Sequence, residues 1–137
     1  MRAVLADSGF LVALGIRRDP RHQAAKTFLA GYNGDIIVPG PVVVEASYFL
    51  STTGKVELLD WIAKGGAKVA ELSALAYAEV GAIIARYASL DPDFTDAAIV
   101  WLADKLACRA VLTVDTRDFG IYRLKSGKRF EVVKWFE

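Results

Sequence analysis

One cysteine and one histidine are all the thiol and imidazole chemistry that this chain carries. Cys108 alone forms no intrachain disulfide, so nothing supports an oxidising compartment, and it reads as a small core hydrophobe. His22 cannot by itself assemble a histidine-rich zinc site, nor a Ser-His-Asp triad without partners. It sits in Asp19-Pro20-Arg21-His22, an exposed helix start, where a surface histidine is expected. Long apolar runs are missing too, so no segment is expected to span a bilayer. The start, Met1-Arg2-Ala3-Val4-Leu5-Ala6-Asp7, meets an acid too early for a secretory signal. A cytoplasmic location without membrane contact is therefore expected. Neither sign of charge dominates: the net charge of +1 neither demands nor excludes a polyanionic partner.

Apolar residues, by contrast, make up 54% of the chain against 24% charged, which excludes disorder because enough surface can be buried to offset ordering entropy. Short apolar strands alternate with helical patterns, the signature of an α/β layer architecture with a mainly parallel sheet. Strands are expected at Ala3–Ala6, 36–38, 68–72 and 110–114, with a last edge strand at 130–135. Helices are expected over about 9–16, then from Asp19-Pro20 with aspartate as cap and Ala24, Ala25, Phe28 and Leu29 as buried stripe. A further helix runs to about Ser51 and is closed by Thr53-Gly54. The next carries Val56, Leu59, Ile62 and Ala63 at helical spacing. Ser73 caps a long helix, and Asp93-Phe94-Thr95-Asp96 opens another that ends near Leu106. No repeat, low-complexity tract or linker interrupts the chain, so residues 1–137 read as one domain.

In a parallel α/β sheet, ligands bind outside the carboxyl ends of the strands. Asp7 follows the first strand and Asp115 the 110–114 strand; if those strands are neighbours, the two carboxylates share one crevice. Each also has a plain reading, Asp7 as a helix cap and Asp115 as an Asx-turn. Glu45 is the only charged side chain between Ile36 and Gly54, in Val42-Val43-Val44-Glu45-Ala46-Ser47-Tyr48-Phe49-Leu50. A helix apolar on nearly every face is a buried one. The helix dipole contributes about 0.3–1 kcal/mol, little against a desolvation cost of several kcal/mol, so Glu45 needs a partner: an arginine, or a cation shared with other acids. Asp96, in a first helical turn, is ordinary by itself. Together these acids have few cationic neighbours, and mutually repelling carboxylates make sense around a hard cation. Oxygen-only ligands suit Mg²⁺ or Mn²⁺, whose chemistry in phosphodiester hydrolysis requires neither histidine nor cysteine.

Four segments, Val4-Leu5-Ala6-Asp7-Ser8, Val42-Val43-Val44-Glu45-Ala46, Asp96-Ala97-Ala98-Ile99 and Leu112-Thr113-Val114-Asp115-Thr116-Arg117-Asp118-Phe119, resemble in order and spacing the motifs of PIN domains. Chain length and spacing are most similar to VapC-type toxins of toxin–antitoxin pairs. The resemblance implies a three-layer PIN-like fold, with a mainly parallel sheet of four to five strands flanked by helices. It implies an Mg²⁺- or Mn²⁺-dependent endoribonuclease, often a homodimer, inhibited by a small cognate antitoxin. Asp7 and Asp96 would be the main metal ligands, Glu45 would complete the acidic cluster and Asp115 would be its more variable member. Ser8 and Thr113 stand where small hydroxyl residues support the site, while the roles of Asp93 and Asp118 stay open. Serine at position 8, where threonine is frequent, is a mild departure.

Arg117, Arg123, Lys125, Lys128, Arg129 and Lys134, with Tyr122 interleaved, make the C-terminal region locally basic. Such a patch either holds RNA phosphates and stacks a base, or is a solvated loop and a lysine-protected edge strand. Arg17, Arg18, Arg21 and Lys26 read as helix surface, and Trp61 and Trp101 as core or dimer interface. Two other functions compete with the toxin: a PIN nuclease of RNA processing without an antitoxin, and a non-catalytic PIN-fold binding module, against which the complete acidic set argues. A haloacid-dehalogenase-like site would need an acid where Gly9 stands, and a receiver domain needs paired early acids and a late lysine that find no place.

Overall fold

The computed structural model describes residues 2–137. Its elements are β1 (Ala3–Ala6), α1 (Ser8–Gly15), α2 (His22–Gly31), β2 (Asp35–Pro39), α3 (Gly40–Ser47), α4 (Thr52–Ala63), β3 (Lys68–Ala70), α5 (Ala74–Arg86), a single 3₁₀ turn (Ala88–Leu90), α6 (Phe94–Leu106), β4 (Ala110–Leu112), α7 (Thr116–Phe119) and β5 (Glu131–Val132). The five strands form one parallel sheet in the order β3-β2-β1-β4-β5. Val4, Leu5, Ala6, Val38, Val111 and Leu112 are all but inaccessible, as expected where helices cover both faces of a parallel sheet.

Strand order explains the layers. From β1 the chain steps outward through β2 to β3, then jumps back past β1 to add β4 and β5. Crossovers between parallel strands are right-handed, so outward and return connections fall on opposite faces. Accordingly α1 packs with α2, α3 and α4, whereas α5 packs with α6 and α6 lies on β1 and β2. The reversal leaves a crevice at the carboxyl ends of β1 and β4, whose register pairs Leu5 with Val111 and Ala6 with Leu112. Among the described residues no helix is long and apolar enough to cross a membrane.

Several local expectations are corrected. The second helix starts at His22: Asp19 instead accepts the Arg21 amide at 2.8 Å in a turn that precedes it. His22 is half-buried, its Nδ1 2.7 Å from the Ala13 carbonyl, so it ties α2 to α1. Gly54 does not close a helix. It lies buried in the first turn of α4, where its amide donates to the Ser51 Oγ cap at 3.1 Å. In α4 it is Leu58 that is buried, while Val56 and Leu59 are exposed. Apolar periodicity cannot tell a core-facing stripe from an uncovered one. The same applies to α3, expected to be buried all round: Val42 and Ala46 face the core, but Val44, and Tyr48 and Phe49 just beyond the helix, lie in the open.

Candidate active site

Asp7 ends β1 and caps α1. Its Oδ1 accepts the Ser8 amide at 2.7 Å and its Oδ2 accepts the Thr113 hydroxyl at 3.0 Å. The capping role and a site role thus coexist in one side chain. Burial pushes the Asp7 carboxyl up to about 6; the two hydrogen bonds oppose that rise, and the charges of Glu45 and Asp93 add to it. Thr113, wholly buried at the end of β4, joins the two strand ends. Its Oγ1 donates to Asp7 and accepts the Asp115 amide at 2.9 Å, while its carbonyl accepts the Trp135 indole N–H at 3.2 Å. Ser8 donates its hydroxyl to Glu45 Oε1, which ties α1 to α3 and directs Glu45 toward the same crevice.

Asp93 caps α6 by accepting the Asp96 amide at 2.8 Å. Asp96 then stands half-buried in the first helical turn. Its carboxyl is pushed up to about 8, foremost by burial and then by Asp7, Asp93, Asp115 and Glu45. Asp7, Glu45 and Asp115, the other acids expected at the site, are thus among the charges that bear on Asp96. Asp115 caps the short α7, its Oδ1 accepting the Asp118 amide at 3.0 Å. Asp96, Asp115 and Asp118 each present a ligand atom, all within 4.8 Å of one another.

Asp118 is therefore closer to the centre than its motif suggested. Burial and Asp115 raise its carboxyl, and Arg117 opposes them. The four-residue α7, too short to show periodicity, is what turns Asp118 inward; the available signal was the Asp115-x-x-Asp118 spacing of a capped first turn.

Ion pairs among the described residues are Lys64–Asp60, Lys68–Asp35 and Lys105–Glu79, and none reaches this cluster. Like charges gathered without a counter-ion raise each other's affinity for protons or for a cation. The donor set is oxygen only, which fits a hard divalent ion such as Mg²⁺ or Mn²⁺.

The basic residues are not gathered in the same way. Arg117, on α7, is the one that stands by the acids. Arg123 turns inward on its own loop, its Nη1 donating to the carbonyls of Gly120, Ile121 and Tyr122 at 2.7–3.1 Å. Lys125 donates its amide to Asp104 near the far end of α6. Arg129, with Lys128 beside it, sits at the amino end of β4, where its carbonyl accepts Arg109 Nε at 2.8 Å. An antiparallel bridge between Arg123 and Arg129 closes the hairpin that carries Lys125 and Lys128. Tyr122 is inaccessible and cannot stack a base. Trp61 and Trp101 both pack against the core.

Beside the acids lies a cleft of about 1030 Å³. Its apolar wall includes Val43, Val44, Tyr48, Phe49, Leu59 and Tyr77, and Glu45, Asp93 and Thr95 also line it.

The family model described as PIN domain matches residues 4–125. Ribonuclease VapC26 of Mycobacterium tuberculosis is 28% identical over 134 residues, covering 95% of this chain and 99% of that protein. The crystal structure of VapC20 from Mycobacterium tuberculosis, described as a Sarcin-Ricin loop cleaving toxin, superposes with a TM-score of 0.76 at 19% identity, covering 83% of this chain and 91% of that one.

Proposed function

The chain belongs to the PIN domain family, and from that premise we propose that it is a divalent-metal-dependent endoribonuclease, the toxin of a VapBC-like toxin–antitoxin pair acting in the cytoplasm. The observation that carries this reading is the close grouping of Asp96, Asp115 and Asp118, with the charges of Asp7 and Glu45 bearing on Asp96 and no ion pair among the described residues balancing any of them. Near-complete two-way coverage by a ribonuclease of the VapC type supports the activity, and we read residues 1–137 as one domain.

When bound, a divalent ion supplies Lewis acidity and a water nucleophile at neutral pH for phosphodiester hydrolysis. Asp96, Asp115 and Asp118 would hold it, with Asp7 and Glu45 completing the anionic wall. Ser8 and Thr113 fix two of the contributors: one hydroxyl orients Glu45, the other locks Asp7 to the end of β4. With its carboxyl pushed up to about 8, Asp96 would hold the ion at the expense of a proton. Arg117 is placed to meet a phosphate of the RNA, and the remaining basic residues, Arg123, Lys125, Lys128 and Arg129, serve the C-terminal hairpin rather than the scissile bond. The apolar cleft that runs up to Glu45 is where the reading seats the antitoxin, which would thereby close the acids off from RNA. A homodimer would use other parts of the exposed apolar surface, such as Leu75.

Cleavage of RNA by the purified protein, titrated with Mg²⁺ and Mn²⁺, tests the reading. Activity is expected to require the ion, to vanish in excess EDTA, and to be lost in Asp96→Asn with the fold intact. Undiminished cleavage in EDTA would overturn it.

A further inference from the structure

The cleft of about 1030 Å³ beside the acids is lined by three carboxylates, Glu45, Glu71 and Asp93, by the Thr95 hydroxyl and by apolar side chains, with no lysine, arginine or histidine. A wall of that composition repels phosphate. It suits a neutral base, whose amino groups are ordinary donors to carboxylates. Thr95 is 6% exposed, yet no hydrogen bond among the described residues uses its hydroxyl. Buried polar groups are seldom left without a partner, so a hydroxyl unused on a cavity wall points to a ligand. Thr95 also shares the first turn of α6 with Asp93 and Asp96, and one such turn rises about 5.4 Å. The cleft therefore reaches the nucleotide next to any phosphate held at Asp96. Its aromatic element is Tyr77 on α5, which packs against Phe94 with ring centroids 5.5 Å apart and planes at 37°. That contact steadies the Tyr77 ring, while 57% of the residue stays open to solvent. An exposed ring of this kind offers a stacking surface to any base, because every base has a π-face.

We propose that this cleft is a base-binding subsite: one unstacked base of the RNA, neighbouring the scissile phosphate, stacks on Tyr77 while the Thr95 hydroxyl bonds its edge. The proposal rests on the ribonuclease reading above. Only a single strand or a loop can present a base in this way, so the subsite selects against duplex RNA. An antitoxin seated in the cleft would then compete with the RNA for the same wall, besides covering the acids. Tyr77→Ala removes an exposed ring that the core does not need, and Thr95→Val keeps the shape of the buried side chain while removing its hydroxyl.

Steady-state cleavage of a fluorophore-labelled single-stranded RNA 12-mer of mixed sequence, with Mn²⁺, compares the wild type with Tyr77→Ala, Thr95→Val and Val56→Ala, the last an exposed apolar change outside the cleft. Tyr77→Ala is expected to raise KM about tenfold, with kcat within about twofold and the salt dependence of KM unaltered, since stacking is lost and no charge is. Thr95→Val should raise KM about threefold or more, and Val56→Ala should match the wild type. A second readout needs no cleavage: the fluorescence of a 2-aminopurine-substituted 12-mer should be quenched on binding Asp96→Asn, and much less on binding Asp96→Asn that also carries Tyr77→Ala. Cleavage with KM unchanged in both Tyr77→Ala and Thr95→Val overturns the subsite and leaves the nuclease reading standing. So does a Tyr77→Ala protein whose only change is a smaller mass by light scattering, which would assign the ring to a contact with a second copy. No cleavage by the wild type overturns the nuclease reading, and the 2-aminopurine signal then decides the subsite by itself: quenching that depends on Tyr77 supports it, and its absence overturns it.

Discussion

Asp7→Asn is expected to make the metal-free protein more stable and inactive. The carboxyl of Asp7 rises from an ordinary 3.8 to about 6 on folding, chiefly through burial. At about 1.4 kcal/mol per pH unit, holding it ionised in the folded protein costs about 3 kcal/mol. A group raised in this way contributes its full stability below its unfolded value, near pH 4, and loses it as the pH climbs through about 6. Asparagine removes the charge and can keep the bond from the Ser8 amide. It forfeits the acceptor for the Thr113 hydroxyl, about 1 kcal/mol. The net at pH 8 is a gain of about 2 kcal/mol, or roughly 6–10 °C in a domain of this size. At pH 4, where Asp7 is already neutral, only the lost hydrogen bond remains and the variant should be about 1 kcal/mol less stable than wild type. Thermal unfolding followed by circular dichroism in EDTA at both pH values gives the comparison, and RNA cleavage with Mn²⁺ gives the second readout. Equal destabilisation at pH 4 and pH 8 would refute the reasoning, because it would mean that Asp7 is no costlier to bury charged than neutral.

Wild-type stability in EDTA should itself decline from pH 4 to above pH 8, since Asp96 extends the titration to about 8, and saturating Mg²⁺ should flatten that decline. Thr113→Val breaks the bonds to Asp7 and from the Asp115 amide together; cleavage should fall at least tenfold while metal-free stability drops by about 1–3 kcal/mol, measured by kinetics and urea unfolding. Arg117→Ala should weaken RNA binding and shallow its salt dependence by about one charge without changing Mn²⁺ affinity, as read by fluorescence anisotropy across salt. Gly66→Ala would place a Cβ 2.2 Å from the Trp61 indole, so denaturation should show a loss of about 1–3 kcal/mol with activity per folded molecule retained.

Elements whose signal is local were legible from the residues alone. Apolar runs too short for helices and bounded by turn residues marked β1 and β2, while Ser73 and Asp93 marked the starts of α5 and α6 through capping chemistry that depends only on near neighbours. Failures occurred where the deciding force was non-local. Val56, Leu59 and the apolar face of α3 carry the pattern of core residues, yet whether a stripe is covered depends on which helix the crossovers bring over it. The basic cluster at 117–129 is contiguous in sequence but is dispersed by a hairpin and a four-residue helix.

By itself, then, the sequence determined the alternation of strands and helices and the inventory of acids, because hydrophobic spacing and residue chemistry are properties of the chain. Only the tertiary structure decided that β1 and β4 are neighbours, that Asp118 joins Asp96 and Asp115, and that Tyr122 is buried with its hydroxyl unbonded. Those facts follow from the order in which the strands pair and the layers close, and contacts across a hundred residues leave no trace in local patterning.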